Sequence, residues 1–127
     1  MGDCLYEAEN FKVLVSETVK TDSACIRFEG NCSQQGFLNN ADEIIEKCKQ
    51  ISFHDIFIDT DDLKRVNSRF IGLLIVLMGS DRNIGLKTPN RFLKDLLEMT
   101  GILNKFHIYN SFKEFDAACG QENKQGQ

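Results

Sequence analysis

The sequence lacks long hydrophobic runs, paired cysteines and basic stretches, and each absence excludes a class of protein. The longest apolar run covers residues 70–78, far short of the roughly 20 residues that span a bilayer. The first ten residues carry three acidic side chains instead of the basic start of a secretory leader. We therefore expect no membrane-spanning segment, no contact with a membrane and a cytoplasmic location.

The five cysteines are odd in number, widely spaced and without a CxxC pair. This pattern favours neither a disulfide framework nor a zinc site, and we interpret Cys25, Cys48 and Cys119 as small hydrophobic residues. The net charge is −4, whereas a nucleic-acid surface needs clustered Lys and Arg. We therefore expect a protein partner or a small ligand instead of nucleic acid.

Length and composition indicate one globular domain. The chain has 127 residues, of which 42% are hydrophobic and 27% charged, and a chain of this length buries roughly two-thirds of its unfolded surface. We place the domain at residues 11–119. An N-terminal extension at residues 1–10 precedes it, and a disordered polar tail at residues 120–127 follows it.

The first half of the chain reads as a hairpin, a helix and a buried strand. Apolar residues alternate with polar ones around residues 11–15 and 24–28, which predicts a β-hairpin. From Phe37 to Cys48 the apolar residues recur at helical spacing, typical of an amphipathic helix. Residues 55–59 are nearly all apolar between two aspartates, which indicates a central strand buried on both faces.

The second half alternates helices and strands. A helix is predicted from Ser68 to about residue 82, followed by a strand at residues 84–87. Thr88 as N-cap and Pro89 in the first turn predict a third helix. Gly101 ends that helix, residues 106–109 form a last strand, and Ser111 with Glu114 matches a capping box for a final helix. The residues of the third helix predicted to face the core are Phe92, Leu93, Leu96 and Leu97.

The elements thus run in the order ββαβαβαβα. This order predicts an α/β fold, an open mixed β-sheet of about five strands with about four helices, whose later strands are mostly parallel.

Residues 59–72 hold the first candidate for function. They lead from the end of a buried strand through a charged loop to Ser68, at the start of a strongly apolar helix. Free backbone N–H groups and the helix dipole favour an anion there, and Lys64, Arg65 and Arg69 add positive charge. A phosphate on Ser68 is one hypothesis. The other is that Ser68, or Asn67 before it, is only an N-cap.

The helix that Ser68 begins is apolar around most of its circumference. One interpretation is a central helix with neighbours on both sides, and the other is a surface left for a partner. The two interpretations are compatible.

Catalysis has little support in the sequence. Asp59, Asp61 and Asp62 suggest a magnesium site of the receiver-domain type, but no further carboxylate pair accompanies them, and we interpret them as a solvated turn. His54 and His107 lack a triad pattern, and the glycines form no phosphate-binding motif. We expect a binding protein or a substrate that is not itself an enzyme and needs no cofactor.

Two motifs carry a family resemblance. NSRFIGLL at residues 67–74 aligns with a pattern D-S-S-G-hydrophobic-G, and LLEMTGIL at residues 96–103, followed by FHIYNS at 106–111, matches an ending LL...TGL...F.I..S..EA. On these motifs residues 11–118 resemble the STAS family, the domain of bacterial anti-sigma factor antagonists and sulfate transporter tails. Ser68 falls on the phosphoacceptor serine and Gly72 on the second glycine.

The chain departs from that family pattern at four positions. Asn67 replaces an aspartate, Arg69 and Phe70 replace a serine and a glycine, and Ser33 replaces an aspartate that normally lies near the phosphorylation site. The acceptor serine is retained, but its surroundings are less acidic than in the family pattern.

The resemblance implies partner switching. An anti-sigma factor with serine kinase activity would bind the unphosphorylated protein and lose it once Ser68 is phosphorylated, and a PP2C-type phosphatase would reset the switch. A non-phosphorylated scaffold subunit of a signalling or transport complex is the alternative, and a weak homodimer also stays open. The implied partner-binding residues are Ser33, Asn67, Arg69, Ile71 and Gly72.

Overall fold

The computed structural model describes residues 3–8, 11–17, 23–32, 40–50, 53–79 and 82–125. The strands are β1 Asp3–Ala8, β2 Phe11–Glu17, β3 Ser23–Asn31, β4 Asp55–Asp59, β5 Leu63–Arg65, β6 Asn83–Lys87 and β7 His107–Tyr109. The helices are α1 Ala41–Lys49, α2 Ser68–Met78, α3 Arg91–Met99 and α4 Phe112–Gln125, with a 3-10 turn at Leu103–Lys105.

All of these strands belong to one mixed sheet. Its order is β1-β2-β3-β4-β6-β7, and β5 pairs with the far end of β3. The pairs β1/β2 and β2/β3 are antiparallel, and the other pairs are parallel. Together with the four helices of the described residues, this confirms the predicted α/β fold and the hairpin followed by parallel strands.

Two strands were not predicted from the sequence. β1 lies in the segment predicted as an N-terminal extension, and β5 lies in the predicted charged loop. In β1 only the side chain of Tyr6 is buried among those described, and in β5 only that of Leu63. Both strands are held by backbone pairing, which leaves little hydrophobic pattern in the sequence.

One face of the sheet carries the main core. Alternate strand residues such as Ile26, Ile58 and Leu86 point into it, and α1, α2 and α3 contribute their apolar sides to the same cluster. α2 lies in the middle of this layer: Phe70 packs edge-on against Phe28 with ring centroids 5.1 Å apart. The buried residues of α2 are Phe70, Ile71, Leu73, Leu74 and Leu77.

The opposite face is covered by α4. Phe115 and Cys119 are buried against Phe57 of β4, and the rings of Phe57 and Phe115 lie 5.4 Å apart. Gly85 of β6 lies beneath this contact, where an added Cβ would be 2.5 Å from Cδ1 of Phe115. The close approach of α4 to the sheet therefore requires glycine at this position.

The start of α3 differs from its prediction. The N-cap is Asn90, whose Oδ1 accepts a hydrogen bond from the Leu93 N–H at 2.9 Å, so Thr88 is not the cap. Thr88 donates its hydroxyl to Oδ1 of Asn110 instead. Leu93 and Leu97 are buried one turn apart, while Phe92 is 83% exposed. The prediction that Phe92 faces the core is wrong, because a step of about 100° from Leu93 turns it to the outside.

Other helix ends agree with the sequence more closely. Gly101 has a φ of 75° after α3, as a glycine stop requires, and the Glu114 N–H donates to Oγ of Ser111 at the start of α4. α2 ends at Met78, earlier than predicted, and α4 continues to Gln125 through residues predicted to be disordered. The polar residues there include Gln, Glu and Lys, which favour helices. α1 begins at Ala41, and Phe37 lies outside the described residues.

Gly85→Ala should destabilise the protein by about 1–3 kcal/mol, because the added methyl group overlaps the buried ring of Phe115. Gly72→Ala is the matched control. At Gly72 an added Cβ meets nothing within 4 Å, and alanine should raise the free energy of unfolding by about 0.5–1 kcal/mol. Urea unfolding followed by circular dichroism measures both, and equal stability of Gly85→Ala and wild type would contradict the packing at β6.

Candidate functional site

The candidate site lies at the end of the sheet that is formed by the carboxyl ends of the parallel strands. β4 ends at Asp59 and β6 at Lys87, and α2, α3 and α4 all begin at this same end of the sheet. Ligand and partner sites of open α/β sheets are usually found there. Cys32, directly after β3, and the start of α2 meet at this end of the sheet.

Asn67 makes the contact that joins them. Its Oδ1 accepts a hydrogen bond from the Phe70 N–H at 3.1 Å and so caps α2. Its Nδ2 donates to the carbonyl oxygen of Cys32 at 2.8 Å. One side chain therefore fixes the start of the helix and ties it to the end of β3.

A second set of bonds holds the same junction. The Cys32 N–H donates to the carbonyl of Arg65 at 3.2 Å, and the Gly30 N–H donates to the carbonyl of Asp62 at 3.1 Å. Gly30 has a φ of 113°, a conformation that glycine adopts without strain. The end of β3, strand β5 and the start of α2 are thus one hydrogen-bonded unit.

Ser68 is exposed on this unit as the first residue of α2. Among the described residues its hydroxyl has no hydrogen-bond partner, and the cap is Asn67. Of the two residues predicted as the N-cap, Asn67 is the cap and Ser68 is not. Its side chain is accessible at the positive end of a helix dipole.

The other predicted partner-binding residues are placed differently from one another. Arg69 is exposed, and Gly72 is half-buried. Asn67 is half-buried as well, and its side chain makes two hydrogen bonds. Ile71 is 3% exposed and packs in the core, so its side chain is not part of the surface. Ser33 lies outside the described residues.

Ile75 is 47% exposed and was not predicted from the sequence as a site residue. It follows Ser68 and Gly72 at helical spacing, and Val76 beside it is half-buried. α2 is therefore mainly a central core helix, and Ser68, Gly72, Ile75 and Val76 form a narrow uncovered stripe along it. The interpretation as a central core helix is confirmed, and a partner surface on the exposed stripe stays a prediction. The alternation of buried and exposed apolar residues within α2 has no signature in the sequence, because all of them are apolar.

The aspartates of the same segment are paired with basic side chains. Arg27 lies 3.6 Å from Asp59 and 3.9 Å from Asp62, measured between nitrogen and carboxylate oxygen. Lys87 pairs with Asp61, and this hydrogen bond is the main cause that raises the pKa of Lys87. Asp61 and Asp62 are exposed as predicted for a turn, but Asp59 is buried.

Asp59 borders a cleft of about 570 Å³ between the sheet and the start of α4. Arg27, Lys87 and Lys113 face it together with Asp59, so charges of both signs meet there. The described residues contain no group of three or more His, Cys, Asp or Glu placed to hold a metal ion. Salt bridges account for the three aspartates.

Cys25, Cys32 and Cys48 are not suited to nucleophilic chemistry at neutral pH. Burial raises the pKa of Cys32 and of Cys48 to about 12. Burial, with a smaller contribution from the charge of Asp59, also raises the pKa of Cys25 to about 12. Cys119 is buried and Cys4 is exposed. In the described part of the chain no helix is long and apolar enough to cross a membrane.

Comparison with known proteins places the fold. Neither the family models nor the curated proteins gave a match to this sequence. Among solved structures, unphosphorylated SpoIIAA, an anti-sigma factor antagonist, superimposes with a TM-score of 0.63 at 17% identity, covering 87% of this chain and 96% of that one. A STAS-domain anti-sigma factor antagonist from Planctomyces limnophilus gives 0.67 at 16% identity, covering 85% and 97%.

The chain has the STAS fold. The phosphorylated form of SpoIIAA, a Bacillus cell-fate determinant, also superimposes, with a TM-score of 0.57 at 16% identity over 85% of this chain and 98% of that one. The STAS resemblance noted in the sequence is thereby confirmed at the level of the fold.

Asn67→Asp should lower the free energy of unfolding by about 1–2 kcal/mol, because a carboxylate cannot donate to the Cys32 carbonyl. Asn90→Asp is the matched control. Asn90 caps α3 only as an acceptor, and aspartate replaces it there at little cost. Urea unfolding compares the two, and equal stability of both variants would remove the proposed role of the Nδ2 donor.

In the native protein at pH 8, iodoacetamide should alkylate only Cys4 during a reaction time that suffices to alkylate a small-molecule thiol completely. The thiolate is the reactive form, and the raised pKa values or the burial of the other four suppress it. Peptide mass mapping identifies the labelled residue, and labelling in guanidinium gives the total of five. Comparable labelling of Cys25 or Cys32 in the native state would contradict the burial.

Proposed function

We propose that this protein is an anti-sigma factor antagonist in a partner-switching pathway. It binds an anti-sigma factor with serine kinase activity while Ser68 is unmodified, phosphorylation of Ser68 ends that binding, and a PP2C-type phosphatase restores it. Ser68 carries the proposal, because its hydroxyl is exposed at the start of α2 while Asn67 has taken over the capping role.

The surroundings of Ser68 suit a reversible phosphate. Phosphorylation adds about −1.5 to −2 charges, which the free N–H groups and dipole of a helix start favour. Arg69 is adjacent and exposed. Since Asn67 holds α2 to the end of β3, the modification changes the charge of the surface without requiring the helix to unfold.

The partner surface is proposed to extend from Ser68 along α2. Gly72 and Ile75 continue the exposed stripe, and the absence of a side chain at Gly72 allows a partner to approach the helix closely. Asn67 and Arg69 lie at its start, and Ser33 belongs to the loop that follows β3. Ile71 contributes from beneath, as a buried support for the helix.

A scaffold that binds through the same stripe without phosphorylation is the second candidate. Its support is Ile75, an apolar side chain 47% exposed that would bind a partner without any need for phosphate. The two functions differ in whether the phosphorylation of Ser68 changes binding.

Incubation with ATP and the cognate anti-sigma kinase should add one phosphoryl group to the wild-type chain, measured by intact mass. Ser68→Ala should remain unmodified, whereas Ser16→Ala, on the remote strand β2, should be modified like wild type. Unmodified wild type, or equal modification of Ser68→Ala, would overturn the assignment of Ser68.

The phosphorylated chain should bind the anti-sigma factor at least about tenfold more weakly than the unmodified chain, equivalent to about 1.4 kcal/mol. Calorimetric titration of the two forms measures this directly. Equal affinities combined with a strong loss for Ile75→Ser would favour the scaffold function.

A further inference from the structure

A groove lies beside the start of α2, between β5 and the start of α3. Its volume is about 370 Å³, and it is lined by Leu63, Lys64, Arg65, Val66, Asn90 and Phe92. Val66 is two residues before Ser68, so the groove adjoins the proposed phosphorylation site.

The apolar part of the groove ends in an unusually exposed ring. Leu63 is buried in its floor and Val66 is half-buried, but Phe92 is 83% exposed. A ring that projects so far into solvent does not enclose a small molecule. It presents a flat apolar face to a larger partner, and aromatic residues are enriched in protein interfaces.

The polar part of the groove is positively charged. Lys64 and Arg65 are exposed and make no ion pair with a described residue. The same holds for Arg69, next to Ser68, and for Arg91, next to Phe92. The acidic residues of the preceding turn pair elsewhere, Asp61 with Lys87 and Asp62 with Arg27. Positive charge therefore remains unmatched on the groove side of β5.

We propose that this groove binds an acidic segment of the partner protein, with an apolar side chain against Phe92 and carboxylates paired with Lys64 and Arg65. Complementary charge argues for an acidic segment. Nucleic acid is disfavoured by the net charge of −4 and by the carboxylates of Asp61 and Asp62 in the adjoining turn. The inference rests on the proposed function and names the chemistry of its partner.

The groove also gives the proposed switch a physical cause. A phosphate on Ser68 would compete with the acidic segment for Arg65, which lines the groove and precedes Ser68 by three residues. Arg69 adds positive charge beside the phosphate. Phosphorylation thus neutralises the groove and repels the segment in one step.

The test uses the full chain and short fluorescein-labelled peptides in which Glu alternates with Leu or with Phe, read by fluorescence anisotropy. Binding should weaken at least about tenfold when Gln replaces Glu, when Ser replaces the apolar residues, or when the salt concentration is raised. Equal binding of the acidic and neutral peptides, or no binding of any peptide, overturns the proposal. Tighter binding of a labelled single-stranded oligonucleotide at the same salt overturns it in favour of nucleic acid.

Matched variants locate the binding. Phe92→Ser and the double variant Lys64→Glu with Arg65→Glu should each weaken the acidic peptides at least about tenfold. Met99→Ser, on the same helix with the same 83% exposure, and Lys105→Glu should leave the affinity unchanged. Equal losses in the control variants overturn the assignment of the groove.

The two proposals fail in different ways. Failure of the kinase to modify Ser68, together with peptide binding that depends on Phe92, removes the proposed function and leaves the groove assigned. Normal modification of Ser68, together with anti-sigma factor binding that is unaffected by Phe92→Ser and by the charge reversal, removes the groove.

Discussion

The carboxamide of Asn67 is the interaction on which the arrangement of the site depends. It accepts from the Phe70 N–H and donates to the Cys32 carbonyl, so one side chain sets both the first turn of α2 and the position of Cys32 directly after β3. An aspartate, as in the STAS pattern that this chain resembles, accepts hydrogen bonds but cannot donate one. The asparagine thus replaces a charge by a structural link. Because that link also supplies the cap, the hydroxyl of Ser68 has no structural task.

Charge is separated across β5. On the side facing the sheet, Arg27 and Lys87 neutralise the aspartates that follow β4, while Lys64 and Arg65 face solvent without a described partner. A phosphate on Ser68 would therefore enter a positive field. Under the proposed function, this field would stabilise the phosphorylated form of the free protein, and in a complex with an acidic partner the phosphate would compete for the same cations. Arg69 stands where the STAS pattern has a serine, and this substitution strengthens the positive field, because the guanidinium charge lies next to the acceptor serine.

The sequence predicts the parts of this molecule that long patterns encode. The alternation in β2 and β3, the apolar run of β4 and the glycine stop at Gly101 are all found in the structure. Errors arise where a single side chain, the phase of a helix or backbone pairing decides: Asn90 instead of Thr88 caps α3, Phe92 faces outward about 100° from the buried Leu93, and β1 and β5 pair with almost no hydrophobic pattern. At the candidate site, Ser68 and its basic neighbours could be read from the sequence. The donor role of Asn67, the burial of Ile71 and the groove beside Phe92 depend on contacts between distant segments.

The pairing of β1 with β2 decides where the chain can be shortened without exposing an unpaired strand. It is the edge strand of the described sheet and covers β2, whose residues Phe11, Val13 and Val15 are buried. Shortening the chain to residues 11–119 would uncover the backbone of β2 along the five residues, Phe11 to Val15, that pair with β1. Such an open edge is a template for intermolecular strand pairing. In the intact chain this pairing is opposed by the acidic residues Asp3 and Glu7 and by the irregular register near Cys4. We therefore expect β1 to protect the intact chain against aggregation, and a domain trimmed of Asp3–Ala8 to lose that protection.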